Sequence, residues 1–545
     1  MGRLERGVPR PDIHVSEHYT HLVASIDYVK SERHRDAFIR HAPDLVIVDE
    51  AHTAARPRGQ NAARSQQQRH NLLKDLAKDP NRHILLATAT PHSGVEEGFR
   101  SLIGLLDEDL DLPPDQDLPR RNLLPHLVQR RRSDLSNWLG ETTPFPERDN
   151  QERTYFMSSE YTRLYESILQ FCRETVSDSD GRRRRVRYWA AIAILRCVLS
   201  SPAAAEATLG KRAERRRGQT SAEFASQILD IDSDQDSPPD YAPTSVLDTE
   251  EVSLNAREIR RLEDLLRRAR ELNGPDRDAK LAETARAIDE MLSEGFRPIV
   301  YCRFIDTANY VADQLQRILE SRYPGLRAQS VTGGDGNDEQ RREIIAELTR
   351  SPLRVLVATD CLSEGINLQE HFDAVLHYDL PWNPNRLEQR EGRVDRYGQQ
   401  KSRVKAVLLW GEDNAIDRAV LRVLIRKARE IRDSLGISIS APVESDAVIQ
   451  AVIEDVFMQR GGYQLALVSD DDGSDTRVSE YHDTVDNAAE RESRNRAYFA
   501  QRGIKPDQVQ RELREMEPAL GSASDILTFI RNAIQRFNGE LRPVG

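Results

Sequence analysis

The residues best suited to chemistry lie in one stretch of the sequence, residues 355–399. An apolar run at 355–358 predicts a buried strand, and Asp360 follows where that strand should end. Arg393 and Arg396 come later, in a predicted helix, and their spacing of three places them on one helix face. A guanidinium carries a permanent charge and a planar fork that matches phosphate oxygens. The stretch therefore has the groups needed to grip a polyphosphate, whereas a single arginine more often makes a surface ion pair.

A pair of acidic residues follows another apolar run. Leu45 to Val48 predict a buried strand, and Asp49 and Glu50 come directly after it. In a parallel α/β sheet, ligands bind at the edge formed by the carboxyl ends of the strands. One carboxylate there could hold Mg²⁺ through water, and its neighbour could orient a water molecule that attacks a phosphate. The alternative is a solvated strand end without a chemical role.

Several segments together resemble a known family. TDCLSEGINLQ, YDLPWNP and EQREGRVDRYGQ resemble motifs V, Va and VI of superfamily 2 helicases, in the SNF2-like branch of DNA translocases. DEAH at 49–52 resembles motif II, HILLATATPHSG resembles motif III, and RPIVYCRF resembles motif IV. The resemblance covers about residues 20–430. Within the branch, the chain looks most like two bacterial groups, the RNA-polymerase-associated recycling ATPase and the SNF2-like helicase of DISARM phage-defence systems.

The resemblance implies a fold and an activity. The fold would be α/β, with two RecA-like parallel-sheet lobes, a helical insert and a helical C-terminal region. The lobes would sandwich ATP and Mg²⁺, and their closure and opening would move the protein along double-stranded DNA. RNA polymerase or other subunits of a defence system would be further partners.

The same resemblance assigns roles to individual residues. Asp49 would hold Mg²⁺ through water, and Glu50 would orient the attacking water. Arg393, Arg396 and Gln389 would complete the catalytic set from the second lobe. The residues that would couple nucleotide state to the second lobe are His52, Thr88, Thr90, Asp360, Glu364, Gly365 and Gly392. The residues that would contact DNA are Ser25, Arg303, Ser363 and Trp382.

Composition limits the possible classes of protein. The chain has 545 residues, which is enough for three or four domains, and no apolar stretch reaches the length of a membrane span. The four cysteines are scattered without a CxxC pair, so the sequence predicts free thiols in the cytoplasm, not zinc ligands. The formal net charge of −12 argues against binding nucleic acid through bulk charge. Any DNA contact must come from local basic strips.

The predicted domains follow the motifs along the chain. Residues 1–135 would form the later part of the first lobe, with a short strand in 21–29. Residues 136–270 would form a helical insert and residues 271–435 the second lobe. Residues 436–545 would be a helical region of unknown role.

Two segments of the predicted insert stand out by composition. Residues 228–252 are acidic and rich in proline and serine, which predicts a disordered linker. The basic run 182–187 precedes Tyr188 and Trp189, and arginines beside aromatic rings are suited to nucleic-acid contact. The alternative for the run is an exposed helix end.

The 545 residues contain no P-loop of the form GxxxxGK[ST], whose backbone amides and lysine hold nucleotide phosphates. The pair Gly210–Lys211 is followed by arginine and has no suitable upstream glycine. The family's P-loop lies well before the DEAH box, so the sequence predicts a first lobe truncated by about half. A start codon placed too late, a split or decayed gene, or a second polypeptide would each explain this. The alternative function is a non-catalytic remnant or scaffold that binds DNA or a partner without turning over ATP.

Overall fold

The structure is a computed structural model. It describes residues 14–56, 64–88, 96–113, 145–177, 181–210, 256–362, 367–382, 384–396 and 398–421, with a few isolated positions. All helices and strands named below belong to one of the two compact units into which the chain divides.

The described strands are β1 Leu45–Val48, β2 His83–Leu86, β3 Glu147–Tyr155, β4 Pro298–Tyr301, β5 Arg327–Val331, β6 Arg354–Ala358, β7 Ala374–His377 and β8 Arg403–Gly411. The helices of the first part of the chain are α1 Val15–His18, α2 Ile26–Val29, α3 Arg35–His41, α4 Arg64–Ala77 and α5 Glu96–Ile103. Those that follow are α6 Ser159–Ser177, α7 Gly181–Ser200, α8 Pro202–Gly210, α9 Ala256–Glu271, α10 Ala279–Ser293, α11 Ile305–Leu319, α12 Asp338–Leu348, α13 Pro384–Glu391 and α14 Ala415–Val420.

The larger sheet has six strands in the order β3-β8-β7-β4-β6-β5. Every pairing in it is parallel, which confirms the predicted α/β fold class. Strands β4, β6 and β7 are buried along their whole length, as expected for parallel strands that helices cover on both faces. Their carboxyl ends lead into the segments at 302, 359 and 378, so one sheet edge collects three of the motifs.

Strand β3 corrects the prediction that residues 136–270 form a helical insert. Its sequence, ERDNQERTY, pairs with β8 over nine residues and adds an edge strand to the larger sheet. The strand alternates partly buried and exposed residues with few apolar ones, so no apolar run marked it in the sequence. The predicted linker at 228–252 and, apart from Arg531, the predicted helical region at 436–545 lie outside the described residues.

Helices α6 to α9 are the described helices between residues 159 and 271, where the sequence predicted a helical insert. They share an apolar core that also contains Trp382 and Leu408 of the larger-sheet region. Tyr188 and Trp189 are 8% and 5% exposed within this core. The prediction that these two rings offer a stacking surface for nucleic acid is therefore wrong, because α7 buries them against its neighbours.

The smaller sheet consists of β1 and β2 in parallel. One face, with Val46 and Val48, packs on an apolar cluster that helix α4 helps to form. On the other face Leu45, Ile47 and Leu85 are 52%, 63% and 51% exposed. The strand expected in 21–29 is instead the helix α2, and the hydroxyl of Ser25 caps it by accepting from the Asp27 amide at 3.3 Å.

The four cysteines are free, as the sequence predicted, and the structure shows that all four are buried. Burial raises the pKa of the Cys172 and Cys197 thiols to about 12, so neither is a reactive thiolate. Within the part of the chain that the structure describes, no helix is both long enough and apolar enough to span a bilayer.

Candidate active site

The predicted carboxylate pair stands at the carboxyl end of β1. Asp49 and Glu50 are both exposed there. Glu50 has φ 47° and ψ 44°, the left-handed region, and is the one non-glycine residue with positive φ in the described part of the chain. Its amide donates to the Asp49 carboxylate at 3.0 Å. Non-glycine residues adopt this conformation at a cost of about 1–3 kcal/mol, and such residues cluster at functional sites.

His52 connects Glu50 to the neighbouring strand. Its Nδ1 lies 3.3 Å from Oε2 of Glu50 and 3.0 Å from the hydroxyl of Thr88, which follows β2. The hydrogen bond with His52 lowers the pKa of Glu50; partial burial opposes this, and the charges of His52 and Arg393 lower it further. Glu50 is therefore a carboxylate at neutral pH. Three residues predicted separately from two motifs thus form one contiguous cluster.

Arg393 belongs to the region of the larger sheet, and its positive charge lowers the pKa of Glu50 in this cluster. It lies beyond α13, which ends at Glu391, and it is partly exposed. Arg396 also lies past the helix and is exposed. The prediction that both arginines share a helix face is wrong, because the helix ends before them. Gln389 is partly buried within α13.

Gly392 stands directly after the last residue of α13. A Cβ atom added there would lie 2.9 Å from the carbonyl oxygen of Glu388, which is too close for an ordinary contact. A glycine is therefore needed where the helix ends and the turn toward Arg393 begins.

Asp360 has a buried partner that the sequence-based site set omitted. Arg390 donates to its carboxylate at 2.7 and 3.1 Å, and Arg386 lies 3.4 Å away. Burial raises the pKa of Asp360, but the charges of Arg390 and Arg386 outweigh it and hold that pKa below its usual range. Arg390 belongs to the motif EQREGRVDRYGQ, so the motif could have indicated it. Of the arginines in that motif, the site prediction took only Arg393 and Arg396.

A second buried network joins the larger sheet to the helical insert at Asp379. Its carboxylate accepts from Lys280 Nζ at 2.7 Å, from the Ser200 hydroxyl at 2.8 Å and from the Arg303 amide at 2.8 Å. Lys280 also donates to the carbonyls of Leu199 and Ser200 at the end of α7. The network ties the end of α7 to the residue that follows β7.

The predicted DNA-contacting residues do not share one surface. Ser25 is exposed, whereas Arg303 and Trp382 are each 3% exposed. The guanidinium of Arg196 stacks over the Trp382 ring at 4.1 Å. Burial removes Arg303 and Trp382 from direct DNA contact in this conformation. The predicted site residues that lie outside the described residues are Thr90, Ser363, Glu364 and Gly365.

The donor set suits magnesium held through water. The described residues contain no cluster of three or more histidine, cysteine or acidic side chains able to hold a metal. Mg²⁺ usually keeps several waters and binds through one or two carboxylates together with substrate phosphates. The exposed carboxylate of Asp49, at a strand end beside Glu50, fits this mode.

Comparison with known proteins agrees with these features. Residues 281–398 match the family described as the helicase conserved C-terminal domain. A protein of Bacillus subtilis strain 168 named as the uncharacterized ATP-dependent helicase YqhH is 24% identical over 434 residues, 76% of this chain and 64% of that protein. The probable ATP-dependent RNA helicase MJ0669 of Methanocaldococcus jannaschii is 30% identical over 99 residues, 18% of this chain and 25% of that protein. The chain thus spans less than two thirds of these relatives.

Among solved structures, the SWI2/SNF2 ATPase core of Sulfolobus solfataricus in complex with dsDNA aligns with 82% of this chain and 78% of its own. The sequence identity is 16% and the TM-score is 0.35. The matched helicase domain contains Asp360, Arg390 and Arg393, so the arginine-bearing part of the site belongs to it.

Proposed function

We propose that this chain is a superfamily 2 helicase of the SNF2-like branch and that it hydrolyses ATP at the Glu50–Arg393 site to drive movement on double-stranded DNA. The observation that carries the proposal is the cluster of Glu50, His52 and Thr88 at the carboxyl ends of β1 and β2. The charge of Arg393, in the helicase C-terminal domain, lowers the pKa of Glu50, which stands at the end of a strand of the other sheet. Two groups suited to phosphoryl transfer thus act on each other from two separate sheets.

The residues divide the work by their chemistry. Glu50, ionised at neutral pH and held by His52, orients the water that attacks the γ-phosphate. Asp49 would hold Mg²⁺ through water, and the metal would supply positive charge opposite the phosphate oxygens. Arg393 neutralises the charge that develops on the transferring phosphoryl group, a contribution of about 10³–10⁵ in rate for arginines of this kind. Thr88 positions His52 and so connects the site to β2.

ATP hydrolysis also needs groups that hold the β- and γ-phosphates of the nucleotide. No P-loop occurs in the 545 residues, and amides and a lysine of that motif normally hold the β- and γ-phosphates. We therefore propose that a P-loop-bearing segment completes the site, and that residues 1–545 alone do not hydrolyse ATP. The same observation favours the second candidate, a scaffold that binds DNA or a partner without turnover.

The experiment that separates the two candidates starts from the gene. The DNA upstream of Met1 is translated in frame, and the protein extended through any P-loop found there is purified with the 545-residue chain. The proposal predicts ATP hydrolysis stimulated by duplex DNA in the extended protein and none in residues 1–545. Glu50→Gln should abolish turnover and spare ATP binding, whereas Glu32→Gln is a matched control at an exposed glutamate outside the site. Equal turnover in Glu50→Gln and the unsubstituted extended protein would contradict the proposal.

A further inference from the structure

A single arginine of the edge strand β3 contacts three acidic residues at the end of α13. Arg148 Nε lies 2.6 Å from Oδ2 of Asp395, and its Nη1 lies 2.5 Å from Oε2 of Glu391. The same Nη1 is 3.4 Å from Oε1 of Glu388. Arg148 is 240–247 positions from these partners in sequence. The contacts therefore tie two distant parts of the chain together.

Two of the three acidic partners are deeply buried, whereas the Glu388 side chain is 31% exposed. The side chains of Glu391 and Asp395 are 2% and 1% exposed, and Arg148 itself is 16% exposed. Burial lowers the pKa of Arg148, but the charges of the three carboxylates outweigh it and raise that pKa above its ordinary value. Buried carboxylates need a cation and hydrogen bonds to remain charged. His377 Nε2 lies 3.4 Å from Oε1 of Glu391, so His377 also faces this cluster.

The three acidic partners of Arg148 lie on both sides of Arg393, the arginine proposed to act in ATP hydrolysis. Glu388, Glu391 and Asp395 lie within eight positions, and Arg393 lies between the last two. Backbone hydrogen bonds also run through this turn: the amides of Gly392, Arg393, Val394 and Asp395 donate to the carbonyls of Glu388, Arg390, Glu391 and Glu391, at 2.8, 3.2, 3.1 and 2.9 Å. The contacts of Arg148 with Glu391 and Asp395 anchor the turn on both sides of Arg393 and so add to these backbone bonds in fixing its path.

We propose that Arg148 is a positioning residue for Arg393: by holding Glu391 and Asp395, it fixes the turn that directs the Arg393 guanidinium toward Glu50. The inference rests on the proposed function for its effect on ATP turnover. The effect of Arg148 on the turn at 392–396 does not depend on ATP turnover and can be measured in the 545-residue chain. A planar guanidinium is required, because one group must meet two carboxylates at once.

Strand β3 offers a matched control. Arg153 lies on the same strand, but its salt bridges go to Glu290 and Glu283 of α10. Odd and even positions of a strand point to opposite faces of the sheet, so Arg153 and Arg148 serve different neighbours. Replacing either one removes the same charge from the same strand. Only Arg148 should affect the turn at 392–396.

The test is hydrogen–deuterium exchange of the full 545-residue chain. Arg148→Ala should raise exchange of amides in 392–396 about tenfold, while β5 and β6 keep their protection, because opening is local. Arg153→Ala should leave 392–396 unchanged. Arg148→Lys keeps the charge without the fork, so its exchange should rise by a smaller factor. It also serves as the test variant if Arg148→Ala fails to fold. Unchanged exchange at 392–396 in Arg148→Lys and Arg148→Ala, or an equal rise in Arg153→Ala, would overturn the proposal.

Turnover provides a second readout. In an ATP-hydrolysing extended protein, Arg148→Lys should lower kcat while KM for ATP stays unchanged, because the turn acts on the transition state and not on ATP binding. A rise in KM with kcat unchanged would count against a positioning role. If the unsubstituted protein shows no turnover, the proposed function fails, and the exchange result still decides the role of Arg148.

Discussion

Arg390 and Asp360 form a buried ion pair with two hydrogen bonds, of 2.7 and 3.1 Å, and both side chains are 0% exposed. Arg390 also donates to the carbonyl of Asp379 at 3.2 Å. The pair thus joins the end of β6, the end of β7 and helix α13. Its role is to hold α13 against the sheet, so that the turn after the helix begins from a fixed point.

Breaking this pair should be costly. Arg390→Met leaves Asp360 buried, and removing one partner of a buried ion pair costs about 3–5 kcal/mol. Urea unfolding followed by tryptophan fluorescence reports it, because Trp382 and Trp410 pack in the adjoining core. The double variant Asp360→Leu/Arg390→Met should recover part of the loss, because the buried carboxylate is removed together with Arg390, whereas Arg386 loses its contact with Asp360. A double variant as unstable as the single one would contradict this reading of the pair.

The buried carboxyl of Asp278 should make stability depend on pH. Burial raises its pKa to about 6, against about 3.9 in an unfolded chain. A raised folded pKa means that the native state binds the proton more tightly, so stability falls as pH rises from about 4 to above 6. Asp278→Asn keeps the side-chain cap on the Leu281 amide and removes the charge. It should stabilise the protein by about 1–3 kcal/mol at pH 7.5 and by almost nothing at pH 4. Urea unfolding at both pH values measures this, and an equal difference at both would contradict it.

The exposed face of the smaller sheet should tolerate polar substitution. Ile47→Thr replaces a side chain that is 63% exposed, so its effect on stability should stay within about 0.5 kcal/mol while solubility rises. Val48 is the matched control, because it is 8% exposed and packs in the cluster beneath the sheet. Val48→Thr should increase hydrogen exchange of β1 and β2, whereas Ile47→Thr should not. Equal exchange in the two variants would show that both faces are alike.

DNA binding should depend steeply on salt. The net charge of −12 confines any contact to local basic segments, and each neutralised phosphate releases counterions. Fluorescence anisotropy with a labelled duplex, between about 50 and 200 mM salt, gives the slope. Changing the four arginines 182–185 to glutamine should reduce the slope. The same change at Arg260 and Arg267, on α9, is the control and should leave it unaltered. An affinity for DNA that does not vary with salt would contradict binding through contacts between basic side chains and DNA phosphates.

The parts of the fold that apolar runs encode could be predicted from the sequence. Val355 to Ala358 form β6, and Asp49 and Glu50 stand at the carboxyl end of β1, as parallel-sheet geometry requires. Strand β3 could not be predicted, because its stability comes from pairing with β8, more than 240 residues away. The end of α13 depends on the close approach at Gly392, which a helical reading of residues 384–396 overlooked.

Contacts between distant residues account for the remaining differences in the site. Arg148 lies in a charged segment without a motif, so nothing in the sequence marks it as the partner of Glu391 and Asp395. The burial of Trp382 depends on the insert helices that pack around it, and local sequence does not specify that packing. Arg393, in contrast, was found from its motif, and the structure adds its electrostatic relation to Glu50.

The most direct test of the account is the turnover number of Arg393→Ala in the extended, P-loop-bearing protein with saturating ATP and duplex DNA. Arginines in this role contribute about 10³–10⁵ in rate, so kcat should fall by about 10³ or more while ATP still binds. Arg403→Ala is the control, since this exposed arginine begins β8 and its salt bridge goes to Glu294, outside the site. Its kcat should equal that of the unsubstituted protein. A kcat for Arg393→Ala within a factor of about two of the control would contradict the assignment of Arg393 to the site of ATP hydrolysis.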